Sequence, residues 1–258
     1  MYPNPLKGKL KRGEIVLGSG GVVGPSLHMV GAIASANPDF IWIDTEHQPF
    51  GTEALPGSCA ILRLRGVAPV VRIPWNDPAL IKKTYDAGAV AVMVPQVDDA
   101  DAVARAVEYA RYPPLGNRGI SPNWQIITGE DFEHVIATAN EETVLIVQME
   151  SVTAYENLDE IKKVEGIDVI MVGPMDLSAS LGKTAQTGCK EVQEIMQDVP
   201  RRLEGTGIVP ATTLGAVPEI QEKIRWGYRM LNVGSVLNYG ADVLKDNLES
   251  LRADPIGE

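Results

Sequence analysis

Eight short apolar runs, each followed by a stretch with helical spacing, are the feature that most limits what this chain can fold into. The runs fall at 14–17, 40–44, 69–73, 90–94, 144–149, 168–172, 208–211 and 230–233, and they read as buried strands. Helical patterns follow at 25–35, 52–65, 78–87, 100–110, 154–164, 191–203, 218–225 and 240–251. Several carry start or stop signals: Asp77 precedes Pro78 as an N-cap ahead of a first-turn proline, and Gly88 and Gly166 lie just beyond a last turn. Eight strand–helix alternations predict an α/β fold, a closed parallel (β/α)8 barrel of the TIM type, with an open doubly wound sheet as the alternative. A length of 258 residues suits one such domain spanning 1–258. The longest irregular stretch, 111–130, reads as a loop after the fourth strand that covers the barrel mouth.

Charge and cysteine content narrow the partners. Thirty-four acids against 23 bases give a net charge of −11, which argues against nucleic acid or an anionic membrane surface. Cys59 and Cys189 are too few for a disulfide framework and read as reduced thiols. No signal-peptide pattern opens the chain and no run approaches about 18 uninterrupted apolar residues, so a soluble cytoplasmic protein is expected.

Chemistry-bearing side chains gather where the apolar runs stop. The strand at 40–44 leads into Asp44-Thr-Glu-His47, the next contains Arg72, the fifth ends in Gln148-Met-Glu150 and the sixth in Gly173-Pro-Met-Asp176. Strand ends of a parallel barrel converge on one face, so these residues become neighbours. Glu150 and Asp176 offer hard oxygens that suit Mg²⁺, Mn²⁺ or Co²⁺, although acids after strands also serve as N-caps or ion-pair partners. His47 is placed for general-base work or for a local hydrogen bond, with Asp44 orienting its loop. Arg72 in an apolar strand needs an anionic partner, either a developing oxyanion or a structural carboxylate. The turn at Gly173 exposes amides, Met175 and Asp176 among them, that can hold a carboxylate. Gly18-Ser-Gly-Gly-Val-Val-Gly24 comes near a dinucleotide loop but departs from its spacing, and cofactor binding there is not expected. No lysine falls in or at the end of a predicted strand, which disfavours Schiff-base chemistry.

With these residues in place the chain resembles the HpcH/HpaI family of metal-dependent class II aldolases acting on 2-keto acids. The likeness rests on Asp44-Thr-Glu-His47, Val71-Arg-Ile-Pro-Trp-Asn-Asp-Pro78, Tyr85-Asp-Ala-Gly88, Arg111-Tyr-Pro-Pro-Leu-Gly-Asn-Arg-Gly119, Gln148-Met-Glu150 and Gly173-Pro-Met-Asp-Leu-Ser178. The resemblance implies a pyruvate-type barrel with a domain-swapped C-terminal helix in a homohexamer, a trimer of dimers. It implies reversible cleavage of a 4-hydroxy-2-keto acid to pyruvate and an aldehyde, those small molecules being the partners. Glu150 and Asp176 would be metal ligands, His47 the proton acceptor, Arg72 the enolate-stabilising group, Gln148 a substrate contact, and the amides of Met175 and Asp176 a carboxylate clamp. Asp86 matches the acid that raises the basicity of the histidine. Because Asp86 falls at the far end of the helix after strand three, away from the mouth, it would serve a neighbouring subunit's site. An oxaloacetate decarboxylase or a macrophomate-synthase-like enolate-forming enzyme is the alternative.

Overall fold

A computed structural model describes residues 3–20, 26–213 and 215–254. Eight parallel strands close into a barrel in sequence order: β1 Val16–Gly20, β2 Phe40–Asp44, β3 Ala68–Arg72, β4 Ala91–Val94, β5 Val144–Met149, β6 Val169–Val172, β7 Val209–Thr213 and β8 Met230–Asn232. The runs at 40–44 and 144–149 are strands over those same residues, and the others shift by a few residues. Closure excludes the open doubly wound sheet, because β1 pairs with β8 through Val16 and Met230 as well as with β2.

Alternation with period two sorts the strand residues into two cores. Phe40, Val70, Met93, Ile146, Met171 and Met230 fill the barrel, whereas Ile41, Val71, Val92 and Leu145 pack outward beneath the helices. At the carboxyl ends the inward positions turn polar: Asp44, Arg72, Gln148, Thr213 and Asn232 continue the inward series of their strands. That switch makes the top of the barrel a site and leaves the rest a packed interior.

Gly18 and Gly20 belong to β1 rather than to a phosphate-binding loop. Each stands beside an aromatic residue of β2, and a Cβ on Gly18 would lie 2.4 Å from the Phe40 ring, one on Gly20 2.4 Å from the Cβ of Trp42. The glycines therefore make room for two large inward side chains. Residues 21–25, including Gly24 and the predicted helix start at Pro25, lie outside the described residues, as do 255–258 of the tail.

The amino-terminal end is closed by a helix the strand–helix pattern did not announce, Pro5–Lys11, capped by the Asn4 side chain on the Leu6 amide. Leu6 and Leu10 join the barrel core from below. Lys7 is anchored there by Asp168 and by the Thr143 carbonyl at 3.0 Å, and burial lowers its pKa despite the Asp168 charge.

The stretch at 111–130 does not cover the mouth. It follows the Ala100–Ala110 helix, so it begins at the opposite end of the barrel, where Arg111 donates to Thr143, Gly166 and Asp168 beside the starts of β5 and β6. It then forms a short Trp124–Thr128 helix, with Trp124 stacked under Arg63 at 3.5 Å, before the Phe132–Glu142 helix that holds His134. The expected helix at 154–164 is two pieces, Val152–Glu156 and Leu158–Ile161. The last helix, Val236–Ala253, is continuous, yet none of its residues is buried. Among the described residues no helix is long and apolar enough to cross a membrane.

Candidate active site

The carboxyl ends of the strands surround a cleft of about 1010 Å³, and His47, Arg72, Gln148, Met175 and Asp176 all line it. Glu150 lies behind the cleft-lining Gln148 and Gly173, 7% exposed, and is held by two donors. The Gln148 side-chain amide donates to one carboxylate oxygen and the Gln96 backbone N–H to the other at 2.8 Å. Gln96 adopts a left-handed φ of 51°, unusual for a residue with a side chain, and this turn after β4 aims its amide at Glu150. Gly173 is needed for a different reason. A Cβ there would come within 2.9 Å of the Glu150 carboxylate.

Burial pushes the Glu150 carboxyl up to about 7; the Gln96 hydrogen bond opposes this, and the charges of Asp176 and Glu46 reinforce it. Three acids thus lie near enough to repel one another. Among the described residues no three His, Cys, Asp or Glu side chains form a ready protein cage for an ion. The two carboxylates of Glu150 and Asp176 fit a hard divalent cation that completes its shell with water or substrate oxygens.

Arg72 reaches the cleft from the end of β3, near enough for its charge to act on Glu150. Its Nε and Nη2 donate to Asp44 at 3.0 and 2.6 Å, and its Nη1 lies 3.0 Å from Glu46 Oε2. The guanidinium also packs 4.8 Å from the Trp42 ring. Asp44 does what its place in the loop suggested, accepting from the amides of Glu46 and His47 at 3.1 and 3.5 Å. His47 stands at the rim with its ring 64% exposed and Nε2 3.7 Å from Glu46 Oε2.

Glu46 is the site residue that sequence reasoning missed. Burial raises its pKa, with Arg72 opposing, and it joins arginine, imidazole and the acid pair. A signal existed: an acid two residues past the inward-facing Asp44, beside the histidine. The role of Gln96 had none, because a left-handed turn at glutamine follows from no spacing rule.

Met175 and Asp176 occupy the first turn of the Pro174–Ser180 helix, where amides have no intrahelical acceptor, and both residues line the cleft. Asp86, by contrast, is not brought to this cleft. It ends the Pro78–Asp86 helix and binds Arg118 at 2.9 Å, while Arg118 lies 4.5 Å from the rings of both Tyr85 and Tyr112.

The family model described as HpcH/HpaI aldolase/citrate lyase matches residues 22–239, well over half the chain. The chain is an HpcH/HpaI family member. As such it is an enzyme of the aldolase type, as the motifs from β2 onward implied. It is 34% identical over 264 residues to a 2-keto-3-deoxy-L-rhamnonate aldolase of Escherichia coli, covering 100% of this chain and 96% of that one. The crystal structure of an HpcH/HpaI aldolase from Desulfitobacterium hafniense superposes with a TM-score of 0.86 at 29% identity, over 95% of this chain and 96% of that one. The structure of macrophomate synthase gives 0.85 at 25% identity, over 98% and 91%. This HpcH/HpaI barrel therefore carries its polar cleft on the face where a TIM barrel performs its chemistry.

Proposed function

We propose that the protein is a divalent-metal-dependent class II aldolase that cleaves a 4-hydroxy-2-keto acid, of the 2-keto-3-deoxy sugar-acid kind, reversibly to pyruvate and an aldehyde. The observation that carries this reading is the convergence of Asp176, Arg72 and His47 on one cleft, with Glu150 buried within reach of the charges of Asp176 and Arg72. The name of the full-length relative supports the substrate class. Glu150 and Asp176 would hold Mg²⁺, Mn²⁺ or Co²⁺, which when bound acts as a Lewis acid on the 2-keto acid.

The chain's own groups account for the remaining steps. First-turn amides of Met175 and Asp176 hold the substrate carboxylate, and the Gln148 side chain lies beside it. His47 takes the proton from the C4 hydroxyl; as that oxygen forms the aldehyde carbonyl, the C3–C4 bond breaks and its electron pair spreads onto the C2 oxygen. Arg72 lends positive charge there, its orientation fixed by Asp44 and Glu46. A proton delivered to C3 completes pyruvate.

Two features bear on assembly. Asp86 is fixed by Arg118 away from its own cleft, and the Val236–Ala253 helix presents Val243, Leu244, Leu248 and Leu251 to solvent. Both suit a homo-oligomer, a hexamer built as a trimer of dimers, in which this helix docks on a partner and Asp86 serves a partner's imidazole. Decarboxylation of oxaloacetate draws on the same electron-accepting groups, and the macrophomate synthase likeness keeps it as the second reading.

The test is incubation of pyruvate with a panel of aldehydes and each metal, read as aldol product, together with exchange of pyruvate methyl protons into deuterated water. Metal-dependent product and exchange are expected. Their absence with all three metals refutes the assignment.

A further inference from the structure

The cleft has a second polar group of residues, carried by β2, β7 and β8. On β8 the inward position at the mouth is Asn232, 5% exposed, where the preceding inward residue is Met230. Its Nδ2 donates to Thr213 Oγ1 on β7 at 2.9 Å, and among the described residues its Oδ1 has no hydrogen-bond partner. Turning the carboxamide over leaves its NH₂ unmatched instead, so one end lacks a partner in either orientation. On the far side of β1 the buried indole Nε1 of Trp42 likewise has no acceptor among the described residues. Between them β1 contributes only Gly20 at this level, and Trp42, Thr213, Asn232 and Gly20 all line the cleft.

In the closed strand order β1 lies four strands from β5 in either direction, so this group stands across the mouth from Glu150. A keto acid whose carboxylate and carbonyl end sits by Glu150 and Asp176 extends its other end this way. Buried polar groups that are half matched favour a ligand able to complete them. A hydroxyl both donates and accepts, and so matches a free amide end, the Thr213 hydroxyl and an indole N–H. An alkyl chain matches none of them.

We propose that Asn232 and Thr213, with the Trp42 indole N–H, form a hydroxyl-recognising subsite that selects substrates whose aldehyde half is hydroxylated. This rests on the aldolase reading and gives it a specificity determinant on β7 and β8. The subsite favours polyhydroxylated acceptors over alkyl aldehydes of equal length.

The experiment compares glyceraldehyde with propanal, each with pyruvate and Mn²⁺, in the wild type, Asn232→Leu and Thr213→Val. Thr213→Val keeps the side-chain shape and stands in should Asn232→Leu fail to fold. The kcat/KM preference for glyceraldehyde is expected to fall about tenfold in the variants. A fall of less than threefold in both, including an equal loss on the two aldehydes, overturns the proposal. Calorimetric binding of 4,5,6-trihydroxy-2-oxohexanoate and 4-hydroxy-2-oxohexanoate separates the two claims. A wild type that turns over neither aldehyde refutes the aldolase reading, and the subsite is then judged by affinity alone: tighter binding of the trihydroxy acid that disappears in the variants upholds it, equal binding by wild type overturns it.

Discussion

At Glu150 a carboxylate is buried among two like charges, and its ionisation has to be opposed by something in the folded chain. The folded state keeps the proton up to about 7, whereas an ordinary glutamate releases it near 4.5. Between those values the folded form binds the extra proton, so this contribution to stability is present at low pH and lost as pH rises through 7. A shift of that size corresponds to up to about 3 kcal/mol. Thermal melts of the metal-free wild type and of Glu150→Gln should therefore diverge, the wild type losing stability relative to the variant between pH 5 and 8. His47 gives a sharper division. His47→Ala is expected to lose aldol cleavage by roughly 10²-fold or more while retaining oxaloacetate decarboxylation, which removes no hydroxyl proton; parallel assays of the two reactions check this. That Arg72, His47, Glu150 and Asp176 come near one another was legible because a polar residue at or just past the end of an apolar run stands out. Glu46 and Gln96 act through the path of a loop, which strand periodicity does not describe.

Among the elements, the barrel strands were readable because each one is short, apolar and closed off by turn residues. Less readable were pieces whose role depends on what they pack against. The Pro5–Lys11 helix is seven residues long with three lysines, and only the bottom of the barrel gives Leu6 and Leu10 an apolar surface to meet. The 111–130 stretch was expected over the mouth, and Arg111 fixes it at the other end by binding beside β5 and β6. Lys7 is the polar anchor of the plug. Lys7→Ala should cost about 1–3 kcal/mol by denaturant unfolding, less than removal of a sole partner would, since Arg111 still neutralises Asp168.

For the whole molecule, the proposed assembly uses the exposed apolar stripe of Val236–Ala253 and the outlying position of Asp86 to complete each site from a partner. Genetic complementation tests this directly. Asp86→Asn and Glu150→Gln should each lose most activity alone, while a refolded equimolar mixture should regain up to about a quarter of wild type, because random pairing restores one intact site in half of the dimers. Absence of recovery would place Asp86 outside the site. A last consequence follows from the stopper at the amino-terminal end. With Leu6 and Leu10 capping an already packed interior the cleft is a blind well, so in the proposed reaction both fragments leave by the door through which the parent entered. Pyruvate, lying deeper, departs last; it should inhibit cleavage competitively against the keto acid, and the aldehyde should inhibit noncompetitively.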